Sequence, residues 1–170
     1  MMFTQPSASL RRVSILAIDK VFASTLMQAK DFFHLASLRY SKQLGLGLQP
    51  MFEIGLVSPD GQPVDSFSNV QLPVDGGLND ADIIILPAFW DDFDNLMQRY
   101  PQVLPWLREQ HARGAVLCAE ASGVFWLAES GLLDGKEATT YWRFFANFAE
   151  RFPNIRLNQD KHLTDADNIY

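Results

Sequence analysis

One cysteine, Cys118, and three scattered histidines are all the soft metal ligands that this 170-residue chain offers. A lone thiol excludes an internal disulfide framework. His34, His111 and His162 have no ligand spacing between them, so no structural zinc cluster, and no metal or other cofactor, is expected. Positive charge is also short: 14 Lys and Arg against 20 Asp and Glu give a formal net charge of −6. That balance repels a phosphate backbone, which basic proteins bind by releasing counterions, so this segment is not expected to grip DNA itself. No apolar run approaches the roughly 20 residues that a membrane-spanning helix requires. Residues 1–12 hold Ser, Pro and Gln with a late Arg pair and no apolar stretch of the kind a secretory signal needs. They read as a flexible N-terminal arm, and residues 13–170 as one domain in a reducing cytoplasm.

What is present is apolar bulk, 48% of the residues, enough for one core. Residues 13–18 form an almost continuous apolar run ending at Asp19, as a strand buried on both faces of a parallel sheet would. Residues 24–40 carry Leu26, Phe32, Phe33, Leu35, Ala36 and Leu38 at spacings of three and four, with Lys30, Asp31 and Arg39 on other faces, which predicts the first helix. A second strand follows at 52–57, and Pro59-Asp60-Gly61 supplies a turn. Residues 64–66 and 70–72, split by Ser68-Asn69, suggest a small hairpin. Three consecutive isoleucines, Ile83 to Ile85, disfavour helix and are stopped by Pro87, which predicts a central strand over 82–86. Helix over 100–113 and strand over 115–119 complete the alternation. The pattern is that of an α/β fold, a doubly wound and mostly parallel sheet with helices on both faces. Such sheets bind ligands at the carboxyl ends of their strands, here Asp19 onward, residues 87–90 and residues 119–123.

Ala119-Glu120-Ala121-Ser122-Gly123 stands where a strand runs into a helix, the position at which hydrolase-like folds carry a nucleophile on a strained elbow. The central residue is alanine, and a methyl group cannot attack a carbonyl.

Downstream, Ser122-Gly123-Val124-Phe125-Trp126-Leu127-Ala128-Glu129-Ser130-Gly131-Leu132-Leu133-Asp134-Gly135, followed by Ala138-Thr139-Thr140-Tyr141-Trp142, resembles the signature of the PfpI/ThiJ-like (class I glutamine amidotransferase-like) domains of AraC-type transcription regulators. The resemblance implies a flavodoxin-like fold. In that family a cysteine usually precedes the matched Ser-Gly and a histidine follows the Thr-Thr pair; Ala121 and Tyr141 take their places. A weaker likeness over 22–36 puts Thr25 at the position of a supporting acid, and Ala88-Phe89 stand where members tend to carry a glycine pair for an oxyanion. Nucleophile, acid, histidine and glycines are absent together. The resemblance therefore implies a non-catalytic sensor or dimerisation domain, expected as a homodimer with a small-molecule effector, and reaching DNA only through a C-terminal helix-turn-helix domain absent from this chain. The expected pocket comprises Glu120, Ala121, Ser122, Trp90, Phe89, Tyr141 and Thr25.

The alternative is a PfpI/ThiJ-type hydrolase, isomerase or glyoxalase-like enzyme working through Cys118 or Glu120. Cys118, lacking an activating cation, reads better as a buried, inert thiol. Ser122 reads as a backbone hydrogen-bonder at a helix start rather than a shifted nucleophile. Glu120 suits a cationic ligand and a dimer salt bridge equally. Trp90 and Tyr141 are candidates for ligand contact, Trp126 less so. Asp91-Asp92-Phe93-Asp94 reads as a helix cap rather than a divalent-cation site. At the chain end, residues 155–157 suggest a strand, and 163–165 with 168–170 a hairpin turning at Ala166-Asp167.

Overall fold

The structure, a computed structural model, describes residues 10–43, 45 and 50–170. In chain order the elements are β1 (Arg11–Leu16), α1 (Ala23–Gln43), β2 (Phe52–Val57), β3 (Val64–Asp65), β4 (Gln71–Leu72), β5 (Ile83–Leu86), α2 (Phe93–Arg99), α3 (Val103–Ala112) and β6 (Val116–Ala119). A single 3-10 turn (Ala121–Gly123) then leads into α4 (Val124–Glu129), followed by β7 (Glu137–Ala138), a second 3-10 turn (Trp142–Phe144) continuing as α5 (Phe145–Arg151), and β8 (Arg156–Leu157).

The main sheet runs β2-β1-β5-β6, every pair parallel. The chain winds outward from β1 to β2 through α1, then from β5 to β6 through α2 and α3. Right-handed crossovers in opposite directions put their helices on opposite faces, as expected of a doubly wound fold. The switch point lies between β1 and β5, both interior strands. Burial follows position: Val13, Ile15, Ile84 and Leu86 are wholly enclosed. Short helices add to the same core through Trp126 on α4 and Phe148 on α5.

Several expectations are corrected here. The expected arm over 1–12 lies outside the described residues up to residue 9, but Arg11 and Arg12 belong to β1, where they pair with Phe52 and Glu53. Arg12 Nε lies 3.3 Å from Glu53, and its main-chain N–H donates to Asp82 at 2.8 Å. The hairpin expected near the chain end is reduced to a single pair, in which Ala166 and Ile169 exchange main-chain hydrogen bonds at 2.9 and 3.2 Å. Asp167 and Asn168 both have positive φ, 54° and 62°, and make the tight turn one residue later than expected. The turn sends Ile169 and Tyr170 alongside β6 in parallel: Leu117 N–H donates to Asn168 O, Tyr170 N–H to Leu117 O and Ala119 N–H to Tyr170 O, at 2.8–2.9 Å. The outer edge of β6 is thereby covered. On α1, Leu26 and Ala29 are buried and Phe33 meets Phe52 edge-on at 5.4 Å, but Phe32, Leu35 and Leu38 stand in solvent.

One glycine governs how closely α4 approaches the sheet. A β-carbon on Gly123 would lie 2.1 Å from the Leu86 carbonyl oxygen, a main-chain atom that cannot move aside. Gly123→Ala is expected to cost about 3 kcal/mol or more in urea denaturation, whereas Gly76→Ala, with no atom within 4 Å of the new methyl, is expected to stay within about 0.5 kcal/mol.

Candidate functional site

The elbow is built as the sequence implied, with alanine at its apex. Glu120 is extended at φ −108° and ψ 124°, and Ala121 turns into the left-handed region at φ +48°. A β-carbon in that region costs about 1–2 kcal/mol, so the surroundings must hold the turn. Glu120 N–H donates to Leu86 O at 3.0 Å, Gly123 N–H to Glu120 O at 2.8 Å, and Thr140 Oγ1 to Ala121 O at 2.9 Å. The result points residue 121 into solvent at the strand ends. The posture of a nucleophile survives, and the reactive atom is missing.

Ser122 ties up one amide of the neighbouring loop. Its hydroxyl is buried, donates to Phe89 O at 2.7 Å and accepts from Phe89 N–H at 2.8 Å. The expectation of a bond to the backbone of its own helix start is corrected: the backbone it holds belongs to the loop after β5. The next amide, Trp90 N–H, donates to Lys20 O at 3.0 Å. One main-chain donor at the place of an oxyanion hole, the Phe89 amide, is thus spent on an internal bond, and a donor so engaged offers nothing to developing charge. The same loop is strapped to the segment after β1 by a Val21–Phe89 bridge and by Phe22 N–H donating to Ala88 O at 2.9 Å.

Cys118 is half-buried rather than fully buried. Burial, and then the neighbouring Glu120 carboxylate, raise its pKa above the ordinary thiol value, which keeps it protonated and poorly nucleophilic. Glu120 itself is raised by burial, and its side chain has no hydrogen-bond or ion-pair partner among the described residues. Asp19 is a fastener: it accepts from Asp65 N–H at 2.8 Å and from Tyr100 OH at 2.9 Å and pairs with Arg99 at 2.5 Å. Burial, followed by the bond to Asp19, pushes the Tyr100 phenol up to about 12.

The remaining candidates separate. Trp90 and Tyr141 are both about two-fifths exposed, and Phe144 joins them, its ring centroid 6.0 Å from Trp90 and 6.2 Å from Tyr141. Phe67 extends this rim at 6.3 Å from Trp90, and the Arg143 guanidinium lies 5.3 Å over the Trp90 ring. Phe144, Phe67 and Arg143 were not foreseen; the aromatic run from Tyr141 to Phe145 was the available signal. Phe89 is turned into the core and stacks near Phe93 at 6.0 Å. Thr25 donates its hydroxyl to Phe22 O at 3.0 Å within the first turn of α1, and no described hydrogen bond joins it to the elbow. Trp126 is a core residue. Asp92 caps α2, its Oδ1 accepting from Asp94 N–H at 2.9 Å. Among the described residues no three His, Cys, Asp or Glu side chains gather as a metal site, and no helix is long and apolar enough to cross a membrane.

Comparison with known proteins agrees with this geometry. The sequence model of the DJ-1/PfpI family matches residues 46–166. The HTH-type transcriptional regulator CdhR of Pseudomonas aeruginosa is 31% identical over 117 residues, which are 67% of this chain and 34% of that protein. The HTH-type transcriptional regulator ArgR of the same organism is 41% identical over 63 residues, 37% of this chain and 19% of that protein. The match therefore spans about a third of the length of one of these curated relatives and about a fifth of the other. Among solved structures, an AraC family transcriptional regulator from Pseudomonas putida superposes with a TM-score of 0.72 at 19% identity, covering 94% of this chain and 81% of that one.

Three outcomes follow from the site. Ser122→Ala strands a buried N–H and a buried C=O and is expected to lower unfolding free energy by about 2–3 kcal/mol in denaturant titration. Glu120→Gln is expected to raise the melting temperature at pH 7: a carboxyl with a raised folded pKa contributes stability only while protonated and loses it as pH rises through that value. The advantage of the glutamine should vanish as pH falls below the ordinary glutamate range. Cys118 in the folded protein is expected to alkylate with iodoacetamide more slowly than in the same protein unfolded in urea, followed by mass spectrometry.

Proposed function

The chain belongs to the DJ-1/PfpI family, and from that premise we propose that it is the non-catalytic, ligand-sensing and dimerising domain of an AraC-type transcription regulator. The observation that carries this reading is the elbow: its strained backbone is kept at φ +48° while its side chain is a methyl group and the Phe89 amide beside it is locked to Ser122. A strand-end crevice with its shape preserved and its chemistry removed suits recognition better than turnover. The likeness to two HTH-type regulators and to an AraC family regulator supplies the context, and fold alone would not.

Sensing is assigned to the mouth of the elbow, where the Glu120 carboxyl, without a partner among the described residues, and the Trp90 and Tyr141 rings offer a polar anchor and flat apolar surface to a small effector. Dimerisation is assigned to α1. Phe32, Leu35 and Leu38 recur every three residues, so they form one ridge on the helix surface, and they are 60%, 62% and 46% exposed. A second copy related by a two-fold axis would bury this ridge against itself. DNA is reached through a separate helix-turn-helix domain, consistent with the net charge of −6 on this one. The effector acts by binding one dimer arrangement better than another.

Analytical ultracentrifugation at micromolar concentration is expected to give a dimer, and Leu35→Glu a folded monomer; a monomeric parent protein would remove the dimerisation half of the reading. A thermal-shift screen against amines and amino-acid derivatives is expected to give a hit that Ala121→Trp abolishes, since a ligand selective for the native state raises the melting temperature by mass action.

A further inference from the structure

The two faces of the main sheet are not covered alike. Ile84, Leu86 and Leu117 point to one face and are wholly enclosed. The register puts Val13, Ile15, Ile83, Ile85, Val116 and Cys118 on the other. That second face is the one α1 packs on, since Phe33 meets Phe52, and Phe52 shares its side of β2 with Ile54, the partner of Val13. Where α1 lies over β1 and β2, the face is shut: Val13 and Ile15 have no exposure. Toward the other edge it opens. Ile83 on β5 and both Val116 and Cys118 on β6 are partly exposed, although β5 is an interior strand. Ile169 aligns with Leu117, so Tyr170 falls on the open face and continues it, 38% exposed.

The flank of α1 that borders this strip is apolar too. Lys30 reaches outward to Asp75, whose carboxylate and amide hold the outer edge of β2 at Leu56. Phe32 lies about 200° round the helix from Lys30 and therefore leans the opposite way, toward β5. A strip two strands across is about 10 Å wide, which is the width of one helix. Each copy of the chain thus presents an apolar helix and, next to it on the same face, an apolar strip of a helix's breadth.

Area separates the ways in which two copies could meet. Phe32, Leu35, Leu38 and Met27 together expose on the order of 400 Å², about half of the roughly 800 Å² per partner that a stable interface buries. Pairing along this ridge alone falls short, and it leaves Ile83, Val116 and Cys118 in water. We infer that a second copy of this chain lays its α1 in the strip over β5 and β6, the two helices running side by side across the two-fold axis, so that each completes the sheet face of the other. This inference rests on the assignment of dimerisation to α1 and adds the surface that receives the helix. The exchange is self-complementary, as a two-fold interface must be, and it buries ridge and strip together.

Cys118 lies in the strip and serves as the reporter. Iodoacetamide labelling of Cys118 in the full chain, followed by mass spectrometry, is run at protein concentrations spanning the dissociation constant found by ultracentrifugation. The rate is expected to fall about tenfold between dilute protein and a concentration about a hundredfold above that constant, because only separated copies expose the thiol. Leu35→Glu should label at the fast rate at every concentration. Val116→Arg puts a charge in the strip and leaves α1 untouched; it should be monomeric with an unchanged circular dichroism spectrum. If that variant unfolds, the concentration dependence in the unsubstituted chain still decides. A dimer whose Cys118 labels equally fast when dilute and when concentrated, or a dimer that survives Val116→Arg, would overturn the inference and leave dimerisation through α1 standing. A monomer at every concentration would overturn both.

Discussion

The two hydrogen bonds that the Ser122 hydroxyl exchanges with the main chain of Phe89 are the constraint on which the ligand edge of this fold depends. They join the loop leaving β5 to the turn leaving β6, the two segments that in a doubly wound sheet form the crevice where ligands bind. Once they are joined, the rest of the edge has little freedom. The loop after β5 is pulled against the segment after β1 through Val21 and Ala88. The elbow is fixed from the other side by Thr140 and from below by the contact of Gly123 with the end of β5. A buried side chain that satisfies both a main-chain donor and a main-chain acceptor is costly to remove, because its loss leaves two desolvated polar groups behind.

That constraint also decides the chemistry. Acyl transfer at such an elbow needs a nucleophile, a proton carrier and free amide donors, and here Ala121 and Tyr141 stand at the first two positions while Ser122 takes the Phe89 amide. Cys118 and Glu120, the remaining groups with reactive potential, are both moved by burial toward their neutral forms. What the edge retains is shape: a half-exposed aromatic rim running from Phe67 through Trp90 to Phe144 and Tyr141, and a carboxyl without a partner among the described residues. These features accord with the recognition role proposed above.

Much of the framework was legible in the sequence because it rests on local signals. The isoleucine run marked β5, the turn residues around Asn69 marked the β3–β4 hairpin, and β2 begins at Phe52 and ends at Val57 as its composition implied. The elbow could be recognised from Glu120-Ala121-Ser122-Gly123 because a small residue, Gly123, must follow a strained apex for the helix to meet the sheet. What escaped were pairings made over long range. Ser122 bonds to a residue 33 positions away rather than to its own helix; local composition carries no trace of that choice. Ile169 and Tyr170 look like half of a hairpin, yet beyond the single Ala166–Ile169 pair their partner is β6, reached because Asp167 and Asn168 both accept positive φ. Phe89 was assigned to the pocket mouth by its place in the chain, and the pleat and the aromatic neighbours Phe93 and Phe125 turn it inward.

The measurement that bears most directly on this account is amide hydrogen exchange at Phe89, followed by NMR in the native protein. If Ser122 holds that N–H as described, the amide should be protected to a degree approaching the interior strand β5, although it lies in a loop. Exchange as fast as that of the solvent-exposed loop amides would mean that the donor is free, that the clasp is not a fixed feature of the elbow, and that the case for a site preserved in shape but emptied of catalysis fails.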